Sequence, residues 1–241
     1  MIDWLLNRDS TAPQVEVAGR VLPVVLRRNA QARRMTMRLA PDGSEVRITL
    51  PQWGRTAEAL EFARKRQGWL AGQLAAVPPA ATLGTDGLLP YRGDQLPICH
   101  DPAAPRRVRL SEGELHIGGP TEALQARLRR WLEGEARRLL SEDLEFYCTR
   151  AGRAPPRLML SNAQRRWGSC ARDGTIRINW RLVMAPDTVR RSVVAHEVAH
   201  LVHFDHSPAF HAMLGELFEH DIRAANRWLK REGRGLYATL G

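Results

Sequence analysis

The chain is poor in cysteine and has no long apolar run. Its three cysteines, Cys99, Cys148 and Cys170, lie far apart in a sequence of 241 residues, and none belongs to a CxxC pair. This excludes a disulfide framework and agrees with a reducing compartment. No apolar run approaches the roughly 20 residues that span a bilayer, and the first eight residues combine an early acid with too short an apolar core for a signal peptide. We therefore expect a cytoplasmic protein that does not enter membranes.

Lysine is almost absent as well. Only Lys65 and Lys230 are lysines, so 34 of the 36 basic side chains are arginines, and 26 acids leave a net charge of +10. Arginine binds phosphate or carboxylate in a planar fork, although a codon bias towards arginine would produce the same excess. The 44% hydrophobic and 26% charged residues are typical of a soluble globular protein. The length allows one domain or two small ones.

Two stretches contain arginines but no acid. The first, between Glu16 and Asp42, contains Arg20, Arg27, Arg28, Arg33, Arg34 and Arg38. The second, between Glu145 and Asp173, contains Arg150, Arg153, Arg157, Arg165, Arg166 and Arg172. Such stretches attract nucleic acid or an acidic substrate, or they are the solvated faces of two sets of strands. The sequence leaves both interpretations open.

The hydrophobic periodicity predicts an α+β protein. Residues 14–50 are expected to form a β-meander, and the helical period from Thr56 to about Ala76 predicts one helix. After a connector at 77–87, short strands are expected near 96–99, 106–110 and 114–117. We expect an N-terminal β-rich module over residues 1–119 and a C-terminal half over residues 120–241.

The C-terminal half is expected to begin with an amphipathic helix over 121–149. Three strands follow, near 158–161, 166–170 and 175–179, the last two joined by a hairpin loop. A helix then runs from about 187 to 204. Another begins at Ser207-Pro208, because serine accepts an otherwise unpaired N–H and proline suits the first helical position.

The C-terminal half contains the pattern HExxH. His196 and His200 are four residues apart, so on a helix both imidazoles face the same side and reach one metal ion. Glu197 lies beside them and can take a proton from the attacking water. The surrounding residues are apolar on nearly all sides, which predicts a buried helix. Buried histidines and glutamates need partners, and a metal ion supplies them.

A hydrolytic metal site needs a third protein ligand and one open position. His206 is favoured, because it falls in the tight turn between two helices, where a side chain can point back over the metal. His203 would lie a full turn too far along the first helix. His211 and the acids of the next helix, Glu216 and Glu219, remain alternatives.

Two blocks of the sequence resemble a known family. Residues 196–210, HEVAHLVHFDHSPAF, look like the signature of the YgjP-like metallopeptidases, which are relatives of the SprT-like and WLM zinc proteases. Residues 166–170, RWGSC, and 174–182, GTIRINWRL, are similar to the second block of that family. The resemblance covers about residues 20–235.

This resemblance implies a zincin-like metallopeptidase domain over residues 120–241. It implies one Zn²⁺ per chain with His196, His200 and His206 as ligands and Glu197 as general base. Asp205 stands where the family more often has asparagine, which leaves the ligand set intact. The implied substrate is a polypeptide.

The second block has two interpretations. In HExxH peptidases an antiparallel edge strand holds the substrate backbone, and Arg166, Trp167, Gly168 and Ser169 are the candidates for substrate binding, with the glycine allowing close backbone approach. Alternatively, the block is a buried hairpin in which Trp167 and Cys170 only pack. Cys170 is expected to be a small buried thiol rather than a residue that caps the zinc.

The function expected is therefore zinc-dependent peptide hydrolysis by water, with Glu197 as general base. The oxyanion-stabilising residue is open between an arginine of the second block, a late histidine and Tyr237. Two alternative functions remain. One is a nucleic-acid-associated protease of the SprT type, which acts on proteins bound to DNA or RNA through the arginine-rich stretches. The other is a non-catalytic metal-binding scaffold, which requires a closed fourth metal position.

Overall fold

The computed structural model describes residues 13–77 and 84–240. It confirms the α+β class. The helices are α1 (Thr56–Arg64), α2 (Gln67–Ala75), α3 (Leu124–Arg150), α4 (Asp187–Ala199), α5 (Pro208–Leu217), α6 (Ile222–Glu232) and α7 (Gly235–Ala238). None of the helices in these two ranges is long and apolar enough to cross a membrane.

The described residues form two compact units, residues 13–77 and residues 84–240. The division lies earlier than the boundary at 119/120 expected from the sequence. The strands near residues 88–118 belong to the C-terminal unit because their inward side chains, such as Leu89, Ile98 and Leu115, share one hydrophobic core with α3 and α4.

The N-terminal unit is a four-stranded sheet packed against α1 and α2. Its strands are β1 (Gln14–Val17), β2 (Arg20–Asn29), β3 (Thr36–Leu39) and β4 (Val46–Pro51), in the order β1-β2-β4-β3. β2 and β4 are parallel, so the sheet is not the simple meander predicted. The single helix predicted over 56–76 is two helices, because the backbone leaves the helical conformation at Arg66 (φ −116°, ψ 21°).

The C-terminal unit contains two sheets. The first consists of β5 (Leu88–Tyr91), β6 (Asp94–Asp101), β7 (Arg109–Ser111) and β8 (Glu114–Gly118), in the order β5-β6-β8-β7. The second consists of β9 (Leu158–Ser161), β10 (Gly168–Cys170) and β11 (Ile176–Asn179), in the order β10-β11-β9. β10 is therefore an edge strand, antiparallel to β11.

Helix α4 carries His196 and Glu197, with His200 directly after its last residue, and it is held in place by buried charges. The Arg190 guanidinium donates to the Asp143 carboxylate of α3 (2.7 Å) and also to Asp187 at the start of α4. Arg190 and Asp143 are both buried. A buried ion pair fixes the position of a helix because either partner left alone would be a desolvated charge.

Helix α4 ends at Ala199, five residues earlier than predicted. Beyond this residue the hydrogen bonds tighten, because the N–H groups of Leu201 and Val202 donate to the carbonyls three residues earlier, those of Val198 (2.9 Å) and Ala199 (3.1 Å). His203 therefore lies beyond the end of α4. Helix α5 begins as predicted, with the Ser207 side chain accepting a hydrogen bond from Phe210 N–H and Pro208 at the first helical position.

Candidate metal centre

Three histidine side chains converge at the C-terminal end of α4. The Nε2 atom of His196 lies 3.2 Å from that of His200 and 3.3 Å from that of His206. All three ligand atoms lie within 4.8 Å of one another. His196 lies in the last turn of α4 and His200 directly follows its last residue, whereas His206 comes from the turn that leads into α5. The structure therefore brings together the three histidines that the sequence singled out.

The spacing of these nitrogens fits a tetrahedral metal ion. Zn–N distances of about 2.0–2.1 Å with tetrahedral angles separate two nitrogen ligands by about 3.3 Å. Two of the three nitrogen pairs have this separation. Three imidazoles would provide three of the four ligands of a tetrahedral ion, which is the number of protein ligands found in catalytic zinc sites. The donor set thus fits zinc.

The orientation of the histidines is set by their neighbours. His200 Nδ1 lies 3.0 Å from the His203 carbonyl oxygen, so this nitrogen donates and leaves Nε2 of His200 as a lone-pair donor to a metal. The buried ring of Phe210 packs against all three imidazoles, with ring centroids 5.0, 4.6 and 4.8 Å from His196, His200 and His206. Phe210 therefore forms the apolar floor of the cluster.

Burial also keeps His196 neutral. Desolvation, with the neighbouring His200, His206 and His211 as smaller causes, lowers the pKa of His196 to about 4. A neutral imidazole is the form that binds a metal ion. His196 could therefore bind a metal ion at neutral pH without first losing a proton.

The other candidate ligands lie outside the cluster. Among the described residues only the three histidines form a group able to hold a metal ion, which leaves out His211, Glu216 and Cys170. Glu219 is engaged elsewhere, because it accepts a hydrogen bond from the Tyr147 hydroxyl (2.8 Å) and pairs with Arg191.

The Glu197 carboxyl group is buried against β10. An ideal Cβ on Gly168 would lie only 2.3 Å from Glu197 Oε1, so the absence of a side chain at residue 168 is what admits the carboxylate. The backbone N–H of Cys170 donates to this carboxylate. Burial raises the pKa of Glu197 to about 7, against the opposing effects of this hydrogen bond and of Arg166. A carboxylate with such a pKa has the proton affinity of an effective general base at neutral pH.

Strand β10 presents an open main-chain edge next to Glu197. The Asn179 N–H of β11 donates to the Trp167 carbonyl (2.8 Å), so by strand alternation the main-chain groups of Gly168 and Cys170 point away from β11. The Cys170 N–H is the one that reaches Glu197. An extended peptide could pair with the remaining groups of this edge.

The predicted substrate-binding residues lie in different environments. The strand begins at Gly168, so Arg166 and Trp167 precede it. Trp167 is half-buried and packs against Tyr237 with ring centroids 5.4 Å apart, which agrees with a packing role for this side chain. Ser169 is half-buried. Arg166 is exposed, near enough to Glu197 to lower its pKa, and lines a cleft of about 500 Å³ with residues 163–165.

Tyr237, one of the residues considered for stabilising the oxyanion, is buried and its hydroxyl group already forms hydrogen bonds within the core. Its hydroxyl donates to the Ala163 carbonyl (2.9 Å) and accepts from the Asn179 side chain (3.0 Å). No hydrogen bond or ion pair of Arg166 is found among the described residues, and its guanidinium lies close enough to Glu197 to lower the pKa of that carboxyl group.

Two contacts around the cluster were not foreseen from the sequence, namely the packing of Phe210 against the three histidines and the contact of Gly168 with Glu197. Phe210 has a weak sequence signal, three residues after a helix N-cap and next to the histidines. The contact between Gly168 and Glu197 has no sequence signal, because it joins a strand and a helix that are distant in the chain.

The comparisons with known proteins identify a single family. A family model described as YgjP-like, metallopeptidase domain, matches residues 33–232. No curated protein and no solved structure gives a significant match.

Proposed function

The chain belongs to the YgjP-like metallopeptidase family, and from this premise we propose that it is a zinc-dependent peptidase. His196, His200 and His206 would hold one zinc ion, and Glu197 would act as the general base. The observation that carries the proposal is the convergence of three imidazole nitrogens at the end of α4, in the same helix as a buried glutamate.

When bound, zinc would polarise the scissile carbonyl and lower the pKa of water. Glu197 accepts a proton from the attacking water and passes it to the leaving amine. Its raised pKa suits both steps, because the carboxylate must gain a proton and then release it at neutral pH. Cys170 N–H holds one carboxylate oxygen and so limits the rotation of the side chain.

The substrate would bind as an extended strand along β10. The Cys170 N–H already donates to Glu197, so the substrate would pair with the outward N–H and C=O of Gly168 and the outward C=O of Cys170. Arg166 is exposed, and its positive charge lies close enough to Glu197 to lower the pKa of that carboxyl group. It is our candidate for stabilising the oxyanion.

The test compares zinc-loaded variants on a denatured polypeptide. Glu197→Gln keeps the size of the side chain but cannot accept a proton, so we expect it to retain one zinc per chain and to lose about 10²–10⁴ in rate. The matched control is Glu216→Gln on the exposed face of α5, which should retain full activity.

Several outcomes would reject the proposal. If Glu197→Gln loses zinc, Glu197 is a ligand. If it keeps full activity, another group is the base. If the wild type cleaves no polypeptide while fully loaded with zinc, the chain is a metal-binding scaffold.

A further inference from the structure

The N-terminal unit contains a groove that the proposed chemistry does not use. Its volume is about 290 Å³. One wall is residues 34–37, which lead into and begin β3, and the other wall is Phe62, Arg66 and Trp69 from α1, α2 and the junction between them. We call this the β3 groove.

The β3 groove is cationic and has no internal counter-charge. Residues 13–77 carry eleven arginines and lysines against five acids, a net charge of +6. No acid lines the groove. Within the described chain, no ion pair is found for Arg34 or Arg66. The Arg66 guanidinium lies 4.6 Å from the centroid of the Phe62 ring, a cation–π contact that holds it in place.

The groove is also apolar in part. Met35 and Met37 are half-buried, and the Trp69 side chain is 47% exposed. An exposed tryptophan beside two methionines offers a contact surface for apolar side chains. A ligand for this site must therefore combine negative charge with apolar groups.

The open edge of β3 offers main-chain hydrogen-bonding groups to a ligand in the groove. β3 is the last strand of its sheet. The Ala40 N–H donates to the Glu45 carbonyl (2.9 Å), and Arg38 is paired with Arg47 in the same register. By alternation, Met37 directs its N–H and C=O away from β4 and into the open edge. Outward main-chain groups on an edge strand can pair with another strand.

We propose that the β3 groove binds an extended, acidic polypeptide segment. The segment adds to the free edge of β3 by main-chain hydrogen bonds, its carboxylates pair with Arg34 and Arg66, and its apolar side chains contact Trp69. A polypeptide fits better than a nucleic acid because only a polypeptide presents an N–H and a C=O for each residue of the strand edge. That the bound segment belongs to a substrate rests on the proposed peptidase function.

Binding is measured on the full-length Glu197→Gln protein, so that peptide is not cleaved. The probe is a fluorescein-labelled nine-residue peptide that alternates valine and threonine around two glutamates. Its counterparts carry glutamine or lysine at those two positions. Fluorescence anisotropy should give the tightest binding for the glutamate peptide and the weakest for the lysine peptide.

Three variants test the site. Arg34→Glu/Arg66→Glu should weaken binding of the glutamate peptide by about tenfold or more. The matched control, Arg20→Glu/Arg27→Glu, changes the net charge equally at exposed positions of β2 outside the groove and should have little effect.

Met37→Pro removes the outward N–H of β3 while leaving the pairing with β4, since proline is tolerated at such edge positions. This variant should also weaken binding.

The proposal fails if both arginine pairs weaken binding equally, because the effect is then net charge alone. It fails in its main-chain part if folded Met37→Pro binds as well as the parent protein. It is replaced by nucleic-acid binding if a single-stranded oligonucleotide binds more tightly than the peptide through Arg34 and Arg66. Because none of these measurements requires turnover, they fail or succeed independently of the peptidase activity.

Discussion

The contact between Gly168 and Glu197 makes the position of the proposed base sensitive to a single methyl group. In Gly168→Ala the new Cβ would lie 2.3 Å from Oε1, 2.7 Å from Cγ and 2.8 Å from Cδ of Glu197. Heavy atoms in favourable contact are about 3.5 Å apart. Gly168 is held by β11, so the glutamate must move, by roughly 1 Å. Such overpacking costs about 1–3 kcal/mol in the free energy of unfolding.

A displacement of about 1 Å at a catalytic group can reduce the rate about 10²-fold. We therefore expect Gly168→Ala to bind one zinc per chain and to lose about 10²-fold in kcat with little change in KM. The assays are metal analysis, urea unfolding, and steady-state kinetics on a peptide. The control is Gly215→Ala in α5, where an added Cβ meets no heavy atom within 4 Å apart from its chain neighbours and the backbone of its own helix; its activity should be unchanged.

Two results would refute this reasoning. Unchanged kcat in a folded Gly168→Ala would show that the position of Glu197 does not limit the reaction. A raised KM at unchanged kcat would show that Gly168 serves the approach of the substrate backbone instead.

Three further predictions concern the ligands and the elements that hold them. His206→Ala should lose most bound zinc while His211→Ala keeps it, measured by metal analysis; equal retention would place the third ligand elsewhere. Arg190→Met should cost about 3–5 kcal/mol in urea unfolding, because it leaves the buried Asp143 carboxylate without its partner; a loss below about 1 kcal/mol would show that the pair does not anchor α4. Ser207→Ala should cost about 1 kcal/mol, since it removes the N-cap of α5; no change would mean that solvent satisfies this helix end equally well.

Much of the helical structure was predictable because periodicity and caps are local signals. The apolar spacing over 121–149 corresponds to α3, and the Ser207-Pro208 start corresponds to the N-terminus of α5. The break between α1 and α2 was not predictable. Leu70 and Leu74 continue the apolar spacing of α1 after the break, so the pattern alone does not reveal it.

The sheet topology and the surroundings of Glu197 could not be predicted from local sequence patterns. A two-residue period shows which face of a strand is buried but not the direction of its neighbour, so the parallel pairing of β2 with β4 could not be foreseen. The i, i+4 spacing of His196 and His200 is local and predicts their convergence. By contrast, Gly168 meets Glu197 only because β10 packs on α4, a contact between residues distant in the chain.

The most direct test of the central claim is a titration of the metal-free protein with Zn²⁺ while hydrolysis of a denatured polypeptide is measured. Zinc-dependent hydrolysis at this site predicts a linear rise in activity that ends at one equivalent per chain, and no such rise in His206→Ala. Undiminished activity in the metal-free protein, or no hydrolysis at any zinc loading, would contradict it.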